Sequence, residues 1–356
     1  MTDLLSSESF QRLLSRLQEL AYPDDVHAWP GQQLSAMADA EVTRWDIPVQ
    51  YGGLDLGPVD LLEGLQQLAS ACLVSTFVWT QRSAAVRRIA TSPNEAAKEK
   101  LLPALRDGSL FATVGISHLT TSGQHLQQPL VQASETDDGF VLNGLVPWAT
   151  GATRADRLVT GGTLSDGRQI LAALPTSQPG VDVQSPVQLM ALNASQTGAV
   201  KLNDVEVFAE DVLHGPVEKV MQQGTGGGAG SLGTSTLAIG ATSGSLRQLS
   251  DEATRRPELQ EFVTALTDDR DSLAAQISQA AAGTHPAGEN AVEQIRRQAN
   301  SLVLRAAQTW LAATKGAGYV AGHPAERAVR ESMFFLVWSC PAPVLTANLR
   351  EFACAT

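Results

Sequence analysis

The spacing of apolar residues changes twice along the chain. Up to about residue 110, apolar side chains recur every three or four positions, which predicts helices at 4–20, 58–71 and 92–105. From about 111 to 213 the period becomes two, and Asn-Gly and Asp-Gly turn signals separate short apolar runs, which predicts β-strands. Helical spacing then returns and predicts long helices at 234–254, 257–281 and 287–315, with a last helix at 341–353.

This order of elements predicts an α+β protein with several domains. We expect an N-terminal helical domain at 1–110, a central antiparallel β barrel or sandwich at 111–213, and a C-terminal four-helix bundle at 225–356. The glycine-rich run at 224–230 is interpreted as a flexible linker into the bundle, because it lacks the Gly-Lys-Ser/Thr ending of a phosphate-binding loop. Since the bundle must cover its apolar stripes, we also expect a homodimer or homotetramer.

Composition and charge exclude several classes of function. The 356 residues are 43% apolar and 17% charged, as in an ordinary globular protein. The net charge of −12 argues against nucleic-acid or anionic-membrane partners. The pairs Arg87–Arg88, Arg255–Arg256 and Arg296–Arg297 are interpreted as solvated helix faces, with contact to a phosphate group as the alternative. Three scattered cysteines predict neither a disulfide framework nor a metal site. Without a secretory leader or an apolar run of about 20 residues, we expect no membrane insertion and a cytoplasmic location.

The strand-turn-strand pattern at 139–159 is the most informative local signal. It places Trp148 and Thr150 two residues apart, so an indole face and a hydroxyl are expected on one side of a strand. That pairing suits a planar heteroaromatic ligand. A tryptophan in such a strand is also commonly a core residue, so core packing remains the alternative.

Three segments, taken together, resemble the acyl-CoA dehydrogenase family over nearly the whole chain. Residues 46–71 contain the Pro-x-x-Tyr-Gly-Gly pattern, and 139–159 resembles the segment with the family's Trp and Thr. Residues 315–331 contain Lys-Gly-Ala-Gly-Tyr, His-Pro-Ala-Glu-Arg and Arg-Glu in order. The resemblance implies the three-domain fold, bound FAD, and an acyl-CoA or another small-molecule substrate.

The resemblance also implies roles for five residues. Trp148 would pack on the flavin ring and Thr150 would donate to its N5 edge. Ser117 keeps a hydroxyl for the pyrimidine edge of the ring, although the surrounding 116–125 departs from the family pattern. Gly316 and Gly318 would let a backbone approach the adenosine-diphosphate part of FAD, often from a neighbouring subunit.

The chain departs from the family at the positions that carry the reaction. The catalytic Glu, which abstracts the alpha proton of an acyl thioester, is replaced by Ser339, and the alternative position at 230–235 contains no acid. A serine hydroxyl is not a base at neutral pH. We expect Ser339 to cap the last helix, because Ser followed by Pro is a common helix start. The family's Arg-x-x-Phe-Gly is also absent, which leaves Arg255 or Arg256 to meet the FAD pyrophosphate.

Three further side chains are weak catalytic candidates. His118 and His125 can serve as acid and base near a flavin, since imidazole titrates close to neutral pH, although a loop or capping role is favoured. Cys340 follows the vacated Glu position and is either a thiol nucleophile or, as favoured here, a small buried filler.

Three functions therefore remain open. The first is an FAD-dependent oxidoreductase of the acyl-CoA dehydrogenase type, acting on the CH–CH group of an acyl thioester or a related substrate. The second is a monooxygenase-like relative that uses reduced flavin and oxygen. The third is a binding or assembly subunit that has lost the base and with it catalysis.

Overall fold

The computed structural model describes residues 2–21, 25–120, 128–224, 232–288 and 291–354. Six helices precede the first strand in these residues: α1 (Thr2–Leu5), α2 (Glu8–Glu19), α3 (Gly31–Asp39), α4 (Pro58–Ala71), α5 (Leu73–Ala90) and α6 (Glu95–Asp107). Five follow the last strand: α7 (Leu232–Arg255), α8 (Gln260–Ala281), α9 (Ala291–Gly318), α10 (Pro324–Val337) and α11 (Ala342–Phe352). His125 and the glycine-rich run at 225–230 lie outside the described residues.

The strands between the two helical regions form one mixed sheet. They are β1 (Ala112–Val114), β2 (Val131–Thr136), β3 (Gly139–Ala149), β4 (Arg157–Thr163), β5 (Gln169–Pro175), β6 (Val181–Val183), β7 (Gly198–Phe208) and β8 (Val212–Val217). Their order is β6-β7-β3-β2-β4-β5-β8, and β1 pairs with β4. The predicted helix, β, helix architecture is confirmed, but the sheet is not purely antiparallel because β1 and β2 both run parallel to β4.

The helix predictions succeeded where one face of a helix is apolar. The prediction at 58–71 coincides with α4. The predicted helix at 4–20 is interrupted, because Ser7 caps α2 by accepting a hydrogen bond from the Phe10 amide at 3.2 Å. The sequence analysis missed α5, which is buried on most sides and so has no single apolar stripe.

The C-terminal region contains more helices than the four predicted. The missed helix is α10, which begins in a recognisable way: His323 accepts from the Ala325 amide at 3.1 Å and Pro324 occupies the first turn. α9 is bent at Lys315, whose φ of 55° and ψ of −146° are not helical. Among the described residues, no helix has the length and apolar character needed to cross a bilayer.

The helix α5 joins all three regions of the fold. Its N-terminal half, including Phe77 and Trp79, belongs to a core shared with α4, α7 and α9. Its C-terminal half, including Val86 and Ile89, belongs to a second core with α6, β1 and β5. Each fully buried side chain of this size contributes about 1.5–3 kcal/mol of hydrophobic stabilisation. The position of α5 therefore determines how the helical regions meet the sheet.

A buried arginine fixes the middle of α5. The Arg82 guanidinium donates to the carbonyl oxygens of Thr43 at 3.0 Å and Leu105 at 2.5 Å, and it lies 3.4 Å from the Asp46 carboxylate. Both charged side chains are almost fully buried. The group thus links α5 to the segment before α4 and to α6.

Replacing Arg82 with methionine should lower the free energy of unfolding by about 3–5 kcal/mol, because Asp46 would remain buried without its counter-charge. Urea unfolding followed by circular dichroism measures this loss. The matched control is Arg12→Met, at an arginine that is 70% exposed in a surface pair with Glu8. Similar losses in the two variants would show that the buried cluster does not fix α5.

Candidate functional site

A large cavity lies where α4, α5, α7 and α10 meet the sheet. Its volume is about 1260 Å³, larger than the roughly 300–1,000 Å³ of ordinary ligand pockets, so it has room for more than one small group. One end is apolar and aromatic and the other carries hydroxyls, an arginine and an exposed indole. The apolar end includes Leu61, Leu65, Phe77, Leu237, Phe334 and Trp338, and the polar end includes Arg87, Ser117, Thr120, Trp148 and Thr197.

Trp148 reaches the cavity because the β3 strand is irregular at this point. Pro147 has no amide to donate to a ladder, and the pairing of β3 with β7 shifts register between Val146 and Ala149. The Trp148 side chain leaves the sheet there and lies on the cavity wall with 41% of its surface exposed. The alternative prediction, that Trp148 is a buried core residue, is therefore wrong.

Thr150 is separated from Trp148 rather than lying beside it. The strand ends at Ala149, and Thr150 is only 1% exposed. Its hydroxyl shares a 2.9 Å hydrogen bond with the Thr197 hydroxyl, which in turn shares one of 2.8 Å with Ser195. Thr197 lies on the cavity wall in front of Thr150. The predicted contact of Thr150 with a flavin stays a prediction, and the structure adds Thr197, which no sequence motif marked.

Ser117 and His118 follow β1 in a short 3₁₀ turn and face opposite ways. Ser117 lines the cavity, and its buried hydroxyl oxygen has no hydrogen-bond partner among the described residues. A buried hydroxyl without a partner costs about 1–3 kcal/mol, so its position favours a polar ligand group. His118 lies behind the wall, where its Nε2 is 2.9 Å from the Gly161 carbonyl oxygen.

The residues at the vacated Glu position are a serine and a cysteine in the turn between α10 and α11. Ser339 lines the cavity with a φ of 46°. The N-cap residue of α11 is Pro341, which makes no side-chain cap, so the prediction that Ser339 caps this helix is wrong. Arg296 is fully buried, so the prediction that it lies on a solvated helix face is wrong. It holds this turn by donating to the carbonyl oxygens of Phe335 at 3.0 Å and Trp338 at 2.9 Å. Burial raises the pKa of the Cys340 thiol, which disfavours a nucleophilic thiolate.

The residues predicted to meet the adenosine part of FAD lie away from the cavity. Gly316 and Gly318 are at the end of α9, and a side chain at Gly316 would meet nothing within 4 Å in this chain. Arg256 donates to the Ala313 carbonyl oxygen at 2.5 Å and lies 3.3 Å from Glu252, whereas Arg255 is 72% exposed. These assignments need a neighbouring subunit to be tested and stay predictions.

The cavity wall contains no Asp or Glu among the described residues. Both positions at which the family places its base are on the wall, but they present Ser339 and, at the start of α7, Gly233 and Thr234. The charged side chains on the wall are Arg87 and Arg330. The wall can therefore bind apolar, aromatic and anionic groups, but it offers no carboxylate to remove a proton.

Comparison with known proteins shows what this chain is similar to. Residues 12–109 match the sequence profile of the acyl-CoA dehydrogenase N-terminal domain. The chain is 25% identical over 233 residues to "Probable acyl-CoA dehydrogenase YngJ" of Bacillus subtilis, covering 63% of this chain and 60% of that one. It is 26% identical over 194 residues to dibenzothiophene monooxygenase of Mycolicibacterium goodii, covering 52% and 45%. The chain thus aligns with less than two thirds of the length of these curated relatives.

Solved structures share the whole fold at lower identity. A glutaryl-CoA dehydrogenase from Mycobacterium smegmatis in complex with FADH2 aligns over 99% of this chain and 96% of its own, with a TM-score of 0.79 and 15% identity. Butyryl-CoA dehydrogenase from Megasphaera elsdenii aligns over 98% and 99%, with a TM-score of 0.81 and 17% identity. The matching N-terminal domain and the curated relatives make this chain similar to the acyl-CoA dehydrogenase family, and the solved structures show that it has the acyl-CoA dehydrogenase fold.

Proposed function

We propose that the protein binds FAD in the cavity and uses reduced flavin and oxygen to oxidise or hydroxylate an apolar substrate. The single observation that carries this proposal is the absence of Asp and Glu from the described cavity wall. The acyl-CoA dehydrogenase reaction needs a carboxylate within hydrogen-bond reach of the alpha carbon, and such a base contributes about 10²- to 10⁴-fold in rate. The similarity to dibenzothiophene monooxygenase supports the same choice.

Three side chains at the polar end fit a flavin ring. The Trp148 indole offers an aromatic face on the wall, and aromatic stacking stabilises a bound ring by about 0.5–1.5 kcal/mol. The Ser117 hydroxyl is buried and lacks a partner among the described residues, so it is available to the edge of the ring. Thr197 presents a further hydroxyl, held in place by Thr150 and Ser195.

The remainder of the wall would bind the substrate and exclude water. When bound, reduced FAD supplies the two electrons that reduce oxygen. The aromatic cluster of Phe77, Phe334 and Trp338, with ring centroids 4.8–5.4 Å apart, gives an apolar surface for the substrate. Hydrogen bonds shared with Ser195 and Thr150, at 2.8 and 2.9 Å between the hydroxyl oxygens, would hold the Thr197 hydroxyl in a fixed orientation on the wall.

His118 is assigned a structural role in this proposal. Burial lowers the pKa of His118 to about 4, although the hydrogen bond to the Gly161 carbonyl oxygen acts in the opposite direction. The ring is therefore neutral at pH 7, and it lies behind the wall rather than on it. Neither property suits a group that exchanges protons with a substrate at neutral pH.

The reaction is tested with purified protein reconstituted with FAD. Under anaerobic conditions, butyryl-, octanoyl- and palmitoyl-CoA should leave the flavin oxidised, because no carboxylate removes the alpha proton. Chemically reduced protein mixed with oxygen should return to the oxidised spectrum. Bleaching by any of the acyl-CoAs would instead support the dehydrogenase reaction, and failure to bind FAD would leave only the non-catalytic subunit.

Ser117→Ala should weaken FAD binding by roughly 3- to 10-fold and shift the flavin absorbance, because one hydrogen bond to the ring is lost. Titration of the apoprotein with FAD, followed by flavin fluorescence, measures the affinity. Ser109→Ala, at an exposed serine, is the control and should bind FAD as the wild type does. Equal affinities in both variants would remove Ser117 from the cofactor site.

The low pKa of His118 predicts a pH-dependent stability. Between pH 6.5 and about 4, His118 is protonated in the unfolded chain but neutral in the folded protein. Its contribution to the free energy of unfolding is therefore fully present above pH 6.5 and decreases as the pH falls toward 4. The loss attributable to His118 is about 3 kcal/mol. His118→Gln should lose correspondingly less stability over this range, as measured by urea unfolding at pH 6.5 and pH 4. The exposed His27→Gln is the control, and an unchanged slope in His118→Gln would contradict the assignment.

A further inference from the structure

Arg87 is a cation on the cavity wall that the family resemblance does not explain. Its side chain lines the cavity, and among the described residues its guanidinium makes no hydrogen bond or ion pair. The other arginine of the wall differs. Arg330 lies 3.0 Å from the Glu326 carboxylate and donates to the Met190 carbonyl oxygen at 2.7 Å. The prediction that Arg87 and Arg88 form a solvated helix face is therefore wrong.

The surroundings of Arg87 are positively charged. Arg88 is 1% exposed and points away from the cavity, donating to the carbonyl oxygens of Gln223 at 2.7 Å and Met221 at 3.1 Å. Burial lowers the pKa of Arg88, and the charge of Arg87 lowers it further. Asp46 is paired with Arg82 at 3.4 Å, and the charge of Arg87 lowers the pKa of Asp46 less than the charge of Arg82 does. The described chain thus leaves this positive charge uncompensated.

The part of the cavity wall that α5 forms is aromatic at one end and positively charged at the other. Phe77, Thr80, Gln81, Ala84 and Arg87 share one face of the helix, so an aromatic end and a cationic end stand about 15 Å apart. The Phe77 ring packs against Phe334 and Trp338 with centroid distances of 4.8 and 4.9 Å. A ligand that follows this face would have an anionic head and an apolar or aromatic body.

We propose that Arg87 binds a carboxylate of the substrate, whose apolar body extends along α5 toward Phe77. The guanidinium fork matches the two oxygens of a carboxylate, and such charge-assisted hydrogen bonds are among the strongest in proteins. One uncompensated cation matches one negative charge, which favours a monocarboxylate over a polyphosphate. The inference rests on the proposed function for the site of oxidation, but the binding of the carboxylate does not require the flavin.

The phosphate groups of FAD also present oxyanions that an arginine binds. The experiment therefore distinguishes a substrate carboxylate from an FAD phosphate as the group that contacts Arg87. Isothermal titration calorimetry on the full-length protein, with and without FAD, uses 4-phenylbutyrate and 4-phenylbutanamide as matched probes. The wild type should bind the carboxylate about 10- to 100-fold more tightly than the amide. Arg87→Gln should abolish that preference and leave the amide affinity unchanged, and Arg87→Lys should retain part of it. Arg12→Gln removes an exposed charge and should match the wild type.

Two results would overturn the inference. One is equal affinity of the wild type for both probes. The other is a loss of FAD affinity in Arg87→Gln with the carboxylate preference intact, which would assign the guanidinium to the cofactor. A carboxylate preference in protein that does not bind FAD would support Arg87 while removing the proposed function. Binding of FAD without a preference for the carboxylate probe would overturn the role of Arg87 and leave the proposed function intact. If Arg87→Gln does not fold, the carboxylate preference is measured in Arg87→Lys instead.

Discussion

The burial of one helix on nearly all sides is the constraint on which the rest of this structure depends. α5 contributes to the core shared by the N-terminal and C-terminal helices and also to the core beneath the sheet. The buried Arg82 fixes it against the carbonyl oxygens of Thr43 and Leu105. The same helix also presents Phe77 and Arg87 to the cavity, so the residues of α5 that pack the domains together fix the shape of the cavity wall as well. A shift of α5 would change the wall and the domain contacts together.

The cavity has residues that suit a flavin but lacks, among the described residues, the carboxylate that the acyl-CoA dehydrogenase reaction needs. The wall has the exposed Trp148 indole and the Ser117 hydroxyl, which has no partner among the described residues, and both suit the flavin ring proposed here. The positions that would supply a base instead present Ser339 and Thr234. In physical terms, the described wall offers an aromatic face and hydroxyls but no carboxylate that accepts a carbon-bound proton at neutral pH. A reaction in which a reduced cofactor and oxygen carry the chemistry is compatible with such a wall.

The sequence predicted those parts of the molecule that depend on local pattern. The period of apolar residues predicted α4 and the change from helices to strands, and the motif at 139–159 led to Trp148. What it could not predict depends on tertiary contacts. α5 has no apolar stripe because it is buried on most sides, and Thr197 meets Thr150 only through the pairing of β7 with β3.

The burial of the arginines on α5 also depends on tertiary contacts. A pair of arginines in a polar helical segment ordinarily indicates a solvated face. Here burial of α5 places Arg88 in the interior and Arg87 on the cavity wall, which no local rule anticipates. Ser339 is another such case, because its sequence favours a helix cap but the N-cap residue of α11 is Pro341.

A crystal structure of the protein loaded with FAD tests the central claim most directly. The account predicts a flavin ring against Trp148, with the Ser117 hydroxyl within hydrogen-bond distance of its edge. It also predicts no carboxylate oxygen within about 4 Å of the ring face opposite Trp148, since a general base must lie within hydrogen-bond reach of its substrate. A carboxylate from this chain or from a neighbouring subunit at that face would contradict the account.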